Sequence, residues 1–284
     1  MIESKMRTAN HHQLARDLIG SSEFKDKDRM RTLFGAPPVP SSAPIRPAAP
    51  EAKITLKISE LPQACFINEQ AKQTNGEVVV FARDQRFLNR LRVLFHGGAD
   101  PKSITGIRIE FESIPDEVEV HVSNSNQRVL FGQNCRGKWI FRMWGESVAR
   151  IGKNTTSNGT EVFLCEGGTL EVGEDCMFAT THIHVGDSHS IFDVATGETL
   201  NYSPAPRIAI GNHVWLASRT TVLADSTIGA GSIVGVGSVA KGGFEPASLI
   251  VGMPAKTKRT GVSWTRSADG AGLEHVTNML RGIL

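Results

Sequence analysis

Ile208–Lys241 reads IAIGNHVWLASRTTVLADSTIGAGSIVGVGSVAK and carries a period of six. Counted in sixes from Ile210, it returns Ile210, Leu216, Val222, Ile228, Val234 and Ala240, all apolar. Counted in sixes from Val214, it returns Val214, Thr220, Ser226, Ser232 and Ser238, all small or β-branched. Ser226 and Ile228 are two apart, so in a strand both point to one face. Each unit therefore offers one large and one small inward side chain. Gly211, Ala217, Gly229 and Gly235 follow aliphatic members, where a bend with positive φ or a close backbone approach is easier without a bulky side chain. Short strands joined by bends at fixed spacing make coils, and stacked coils bury a continuous core. The competing reading is a run of buried strands in a sandwich, against which the unbroken count of six speaks.

Outward from this stretch, the count appears briefly upstream, in Val172, Phe178 and His184 and in Cys176 and His182. It then breaks over HSIFDVATGETLNYSPAPR (His189–Arg207), which has turn chemistry and no period. This is the signature of a loop thrown out of a coil, the usual bearer of a binding surface in repeat scaffolds. Further upstream, apolar-alternating runs recur at Val78–Phe81, Val93–Phe95, Ile107–Phe111, Val118–Val122, Val129–Phe131 and Trp139–Phe141, with turn residues between them. They read as the first coils of the same stack, with longer bends, in preference to a separate sandwich. After Lys241 the repeat ends at Gly242 and Gly243. The last residues read as a helix, with Leu273, Val276, Leu280 and Ile283 at three-and-four spacing and Asp269 as its cap.

The expected organisation is a helical or mobile segment over 1–35, a proline-rich linker over 36–50 and a β-rich region over 51–100. A coil domain over 101–260 and a C-terminal tail helix over 261–284 complete it. The linker APPVPSSAPIRPAAP has no core of its own. The net charge of +2 gives no argument for nucleic acid or an anionic membrane as partner. The high glycine count, 28, and the 6% aromatic share suit coils and bends better than helices. Cys65, Cys135, Cys165 and Cys176 show no CxxC spacing and read as reduced packing residues. With no 18-residue apolar run and no apolar signal core in MIESKMRTANHH, the expectation is a cytoplasmic protein without a transmembrane segment.

The hexapeptide unit, the loop GDSHSIFDVATGETLN (Gly186–Asn201), the return strand IAIGNHVWLAS (Ile208–Ser218) and the ending VGMPAKTKR (Val251–Arg259) together resemble the hexapeptide-repeat acyltransferases. Among these, the resemblance is to bacterial O-acetyltransferases of capsule, polysialic acid and lipopolysaccharide. It is strong over 165–260, weaker over 93–164 and absent over 1–50 and 261–284. The resemblance implies an all-β fold, a left-handed parallel β-helix with an ejected loop, assembled as a homotrimer that binds acetyl-CoA between neighbouring copies. It implies transfer of an acetyl group to a hydroxyl of a glycan or its sugar precursor, without a resident metal.

On the same resemblance His189, in Asp187-Ser188-His189-Ser190, takes the place of the catalytic base, and Trp215 that of the tryptophan bordering the site. Ala217, Ser218, Gly235 and Gly237 would line the pantetheine arm, and Lys256, Lys258 and Arg259 would meet the CoA phosphates. Asp187, His184 and Tyr202 are the candidate acceptor-binding residues. Met253 stands where the family's turn more often has asparagine. His182 and His184 depart from its aliphatic or small residues and read as core histidines, one of them able to orient His189. Three other readings stand beside this one. An N-acetyltransferase on an amino sugar would use the same base. A metal enzyme like the γ-type carbonic anhydrases would draw on His182, His184, His189 and His213. A non-catalytic scaffold would use the coils alone.

Overall fold

A computed structural model describes residues 52–201 and 203–281. The expected segments over 1–35 and 36–50, Tyr202, and the helix position Ile283 lie outside the described residues. Among the described residues twenty strands fall into two sheets. One stacks, in order, β1 (Lys53–Lys57), β2 (Gly76–Phe81), β4 (Ile107–Phe111), β6 (Arg128–Phe131), β8 (Val148–Ile151), β10 (Thr169–Val172), β12 (Arg207–Ile210), β15 (Ser226–Ile228) and β18 (Gly243–Phe244). The other stacks β3 (Leu91–Phe95), β5 (Glu117–Val122), β7 (Arg136–Met143), β9 (Thr156–Leu164), β11 (Met177–Val185), β13 (Trp215–Leu216), β16 (Ile233–Val234), β19 (Ser248–Gly252) and β20 (Ala255–Thr260). Here β14 (Thr221–Leu223) pairs with β11, and β17 (Val239–Ala240) with β14. Among the described residues one α-helix, α1, spans Leu273–Arg281.

The chain alternates between the sheets, and strands pair in parallel with the strand one circuit earlier. This is the stack of coils that the six-residue period predicts. Ile208 lies beside Ser226 and Ile210 beside Ile228, three units apart. The inward columns are the predicted ones: Leu216, Val222, Ile228, Val234 and Ala240 are fully buried, and Thr220, Ser226, Ser232 and Ser238 lie with them. Upstream, Val129 lies beside Ile109 and Ala149 beside Val129, two residues more per circuit. The longer circuits are filled by rings. Phe111 stacks on Phe131 at 5.5 Å, and Phe131 meets Trp139 edge-on at 5.6 Å. Large aromatics bury the most apolar area per residue, so they fill the roomier coils. Parallel pairing reaches back to Gly76 beside Ile107, and to a single parallel bridge from Phe66 to Val93.

The bends follow the period too, at a position the sequence reading did not single out. His213, Arg219, Asp225, Gly231 and Gly237, each six after the last, have φ between +55° and +74°. Gly211 and Gly229 serve instead for close approach: a Cβ on Gly229 would lie 2.3 Å from the Pro246 nitrogen.

The count of six misleads at one corner. Phe178 lies beside Leu216 and Ile183 beside Val222. The step from Phe178 to Ile183 is therefore one residue shorter than that from Leu216 to Val222. Because side chains alternate along a strand, a one-residue slip exchanges the two faces. Thr181, Ile183 and Val185 are buried, while His182 and His184 point outward. The expected Phe178–His184 and Cys176–His182 series is corrected accordingly, and the two histidines are not core residues.

Candidate active site

The ejected loop leaves after Val185 and returns at Arg207, and one side chain ties its neck. Asn201 Nδ2 donates to Asp187 Oδ2 at 2.9 Å and to the His189 carbonyl at 2.8 Å, and its Oδ1 accepts from Ile191 N at 2.7 Å. Beyond the neck the loop runs as a two-stranded arm. Leu200 N donates to Ile191 O, Asp193 N to Glu198 O, and Phe192 bridges Thr199 in antiparallel sense. The Asp193 carboxylate closes the tip by accepting from Thr196 and Ala195, and these bonds hold its pKa below the ordinary carboxylate range.

The neck borders a hollow of about 810 Å³. Asp187, His189 and Asn201 stand on one side, Trp144, Phe163 and Cys165 on another, with Glu166, Asp225 and Lys241 completing the rim. His189 is exposed, and among the described residues its ring makes no hydrogen bond; Asp187 is engaged by Asn201 instead.

The outer face of the second sheet leads up to this hollow. Successive coils carry His121, Arg142, Phe163 and His184 in one column, in pairing register. The rings form a ladder: His96 to Trp144 at 4.7 Å, Trp144 to Phe163 at 4.3 Å, Phe163 to His184 at 5.6 Å. Glu161 bonds Arg142 and lies 3.5 Å from His182, and the Arg142 bond keeps its carboxyl acidic. Burial lowers the basicity of His184, and the charge of His182 lowers it further. Burial does the same at His96, aided by His121 and Arg142.

Of the expected site residues, the structure brings Asp187 and His189 to the hollow. His184 stands next to Phe163 in the ladder but does not line the hollow. Trp215 does not reach it either; it faces outward on β13, with its ring 6.0 Å from Trp264. Ala217, Ser218, Gly235 and Gly237 do come together. Gly237 N donates to Ser218 O at 3.0 Å and Ala217 N to Val234 O at 2.9 Å, so the two bends stack one circuit apart. Lys256, Lys258 and Arg259 are exposed along β20, which folds back antiparallel on β19.

The four histidines considered as metal ligands are dispersed. His213 is buried, its Nδ1 2.7 Å from Asp175 Oδ2 and its Nε2 2.9 Å from the Trp264 carbonyl. Its ring stacks on Trp264 at 4.2 Å. Arg266 reinforces this crossing with bonds to Asp175, Thr156 Oγ1 and the Asn154 and Cys176 carbonyls. Among the described residues no group of three His, Cys, Asp or Glu could hold a metal ion.

Sequence reading missed Trp144, Phe163, Glu166, Asn201, Asp225 and Lys241. Phe163 is concealed in the apolar run Val162–Leu164, whose outer members face inward. Asn201 could have been found as an amide at the far end of an aperiodic loop that begins with Asp187.

No family model matches the chain. It is 30% identical over 142 residues to the polysialic acid O-acetyltransferase of Neisseria meningitidis, a match covering 41% of this chain and 65% of that relative. The match thus spans somewhat less than two thirds of the curated relative. Among solved structures, the polysialic-acid-specific acetyltransferase NeuO superposes with a TM-score of 0.58 at 23% identity, over 68% of this chain and 88% of that one. The polysialic acid O-acetyltransferase OatWY gives a TM-score of 0.43 at 23% identity, over 66% and 86%. The resemblance to polysaccharide O-acetyltransferases read from the motifs is borne out by the first relative, and the shared coil fold by NeuO.

Proposed function

We propose that this chain is an acetyl-CoA-dependent O-acetyltransferase acting on a hydroxyl of a bacterial cell-surface polysaccharide or its sugar precursor. The observation that carries the reading is His189 held at the mouth of a large hollow by the Asn201-tied neck of the ejected loop, in a chain similar to a polysialic acid O-acetyltransferase. A sugar hydroxyl is a poor nucleophile near neutral pH, and imidazole is the side chain whose basicity suits its activation. In this mechanism His189 takes the hydroxyl proton as the sugar oxygen bonds to the thioester carbonyl carbon. The tetrahedral oxyanion is met by an N–H donor. Its collapse breaks the C–S bond, and the departing CoA thiolate recovers the proton from the imidazolium. No covalent enzyme intermediate is needed.

In this reading the coils are left-handed and the active form is a cytoplasmic homotrimer. His189 and Trp215 lie apart within one chain, which suits a site completed by Trp215 of the next copy. The stacked bends at Ala217–Ser218 and Gly235–Gly237 form the wall for the pantetheine arm, where Gly237 leaves open space. Lys256, Lys258 and Arg259 meet the phosphates, whose oxygens pair with basic side chains. Asp187 contacts the acceptor, with His184 and Tyr202 in supporting places. The test is thiol release from acetyl-CoA over a glycan panel, with His189→Ala beside the native chain. Full activity in that variant removes His189 as the base, and the absence of thiol release with every acceptor on the panel removes the transferase.

A further inference from the structure

We propose that the acceptor sugar seated in the hollow carries no carboxylate: it is a neutral or amino sugar unit, not a sialic acid. The inference rests on the transferase reading only in taking the hollow at His189 as the acceptor site. Its rim carries three carboxylates, Glu166, Asp187 and Asp225, against one ammonium, Lys241. None of the three forms an ion pair among the described residues. Two of them are held in place by backbone or amide contacts. Asn201 fixes Asp187 at 2.9 Å, and Asp225 sits at a bend with φ +62°, its backbone N donating to Arg207 O at 2.8 Å. A second residue senses the same field. Burial pushes the Cys165 thiol up, and the charges of Asp187, Glu166 and Asp225 push it further the same way. The three carboxylates thus bear on one point inside the hollow, beside the Trp144–Phe163 pair.

This is a surface for hydroxyl and ammonium donors. Ionised carboxylates only accept hydrogen bonds, and a sugar without a carboxylate offers donors on every side. The aromatic wall takes the apolar face of its ring. A sialic acid polymer would bring a like charge into this field with every unit, and like-charge juxtaposition is strongly discriminating.

Cys165 makes the idea testable without acetyl transfer, because Cys65, Cys135 and Cys176 are buried and serve as internal controls. The full chain is alkylated with iodoacetamide at alkaline pH, and labelling of each cysteine is followed by peptide mass spectrometry. Neutral galacto-oligosaccharide, chitosan oligosaccharide and oligosialic acid are compared as protectants. A carboxylate-free oligosaccharide is expected to protect Cys165 at a concentration at least about tenfold below that needed of oligosialic acid. Combining Glu166→Gln with Asp225→Asn should narrow that gap and speed the unprotected labelling. Equal or better protection by oligosialic acid overturns the proposal, as does a gap unchanged in the double variant or no protection by any glycan. Selective protection without thiol release from acetyl-CoA would sink the transferase reading and leave this one standing. Acetyl transfer to oligosialic acid would do the reverse.

Discussion

Gly137 has φ +86°, and a Cβ there would lie 1.6 Å from the Ser157 carbonyl oxygen on the next coil. Backbone cannot give way as a side chain can, so Gly137→Ala must part β7 from β9 where their register already shifts. A loss of about 3 kcal/mol in denaturant unfolding is expected, from overpacking and backbone strain together; an unchanged midpoint would contradict the geometry. His189 is the opposite kind of residue, exposed and outside the core. His189→Ala should lower acetyl transfer by about 10²–10⁴-fold while leaving the thermal midpoint unmoved. Loss of both together would mean that the imidazole serves the fold.

The histidine and aromatic ladder runs across the second sheet, from His96 after β3 and Trp144 after β7 to Phe163 on β9 and His184 on β11. Burial and neighbouring positive charge hold His96 and His184 below the ordinary histidine value of 6.5. The folded state therefore favours their neutral rings. The resulting stability is fully present above pH 6.5 and is lost as pH falls through the lower folded values. Urea unfolding between pH 7.5 and 5 should show that decline, and His96→Gln with His184→Gln should flatten it. An unchanged slope in the double variant would assign the decline elsewhere. This ladder also shows how far the elements were legible in the sequence. Inward positions of Ile208–Lys241 were readable because each repeats at a fixed interval under one packing constraint. The ladder was not, because a single residue missing between Phe178 and Ile183 inverts which side chains face out, and a deletion leaves no residue to read. Within the loop, His189 and Asp187 stood out by motif. Trp144, Glu166 and Lys241 join them only through the circuit of the coils, which brings together positions far apart in the chain.

For the whole molecule, the placement of Trp215 beside Trp264, away from the hollow, makes a prediction about assembly. In a closed symmetric oligomer each site can draw on two copies. Co-expressed His189→Ala and Trp215→Ala chains should then recover acetyl transfer that neither variant has alone, since some interfaces carry both native residues. Failure to complement, with both variants folded and assembled, would place the reaction within one chain. The outermost strands carry a different consequence. Each sheet closes one of its two ends on an antiparallel strand, the first with β1 against β2 and the second with β20 against β19. Both are lysine-bearing, with Lys53 and Lys57 on one and Lys256 and Lys258 on the other. A repeat whose coils pair so regularly is a template for its own copies, and charged outer strands blunt such templating. The cations on β20 thus have a consequence for solubility whatever ligand they meet: with Lys256 and Lys258 neutralised, end-to-end association is the expected outcome, read as a rise in light scattering at unchanged thermal midpoint.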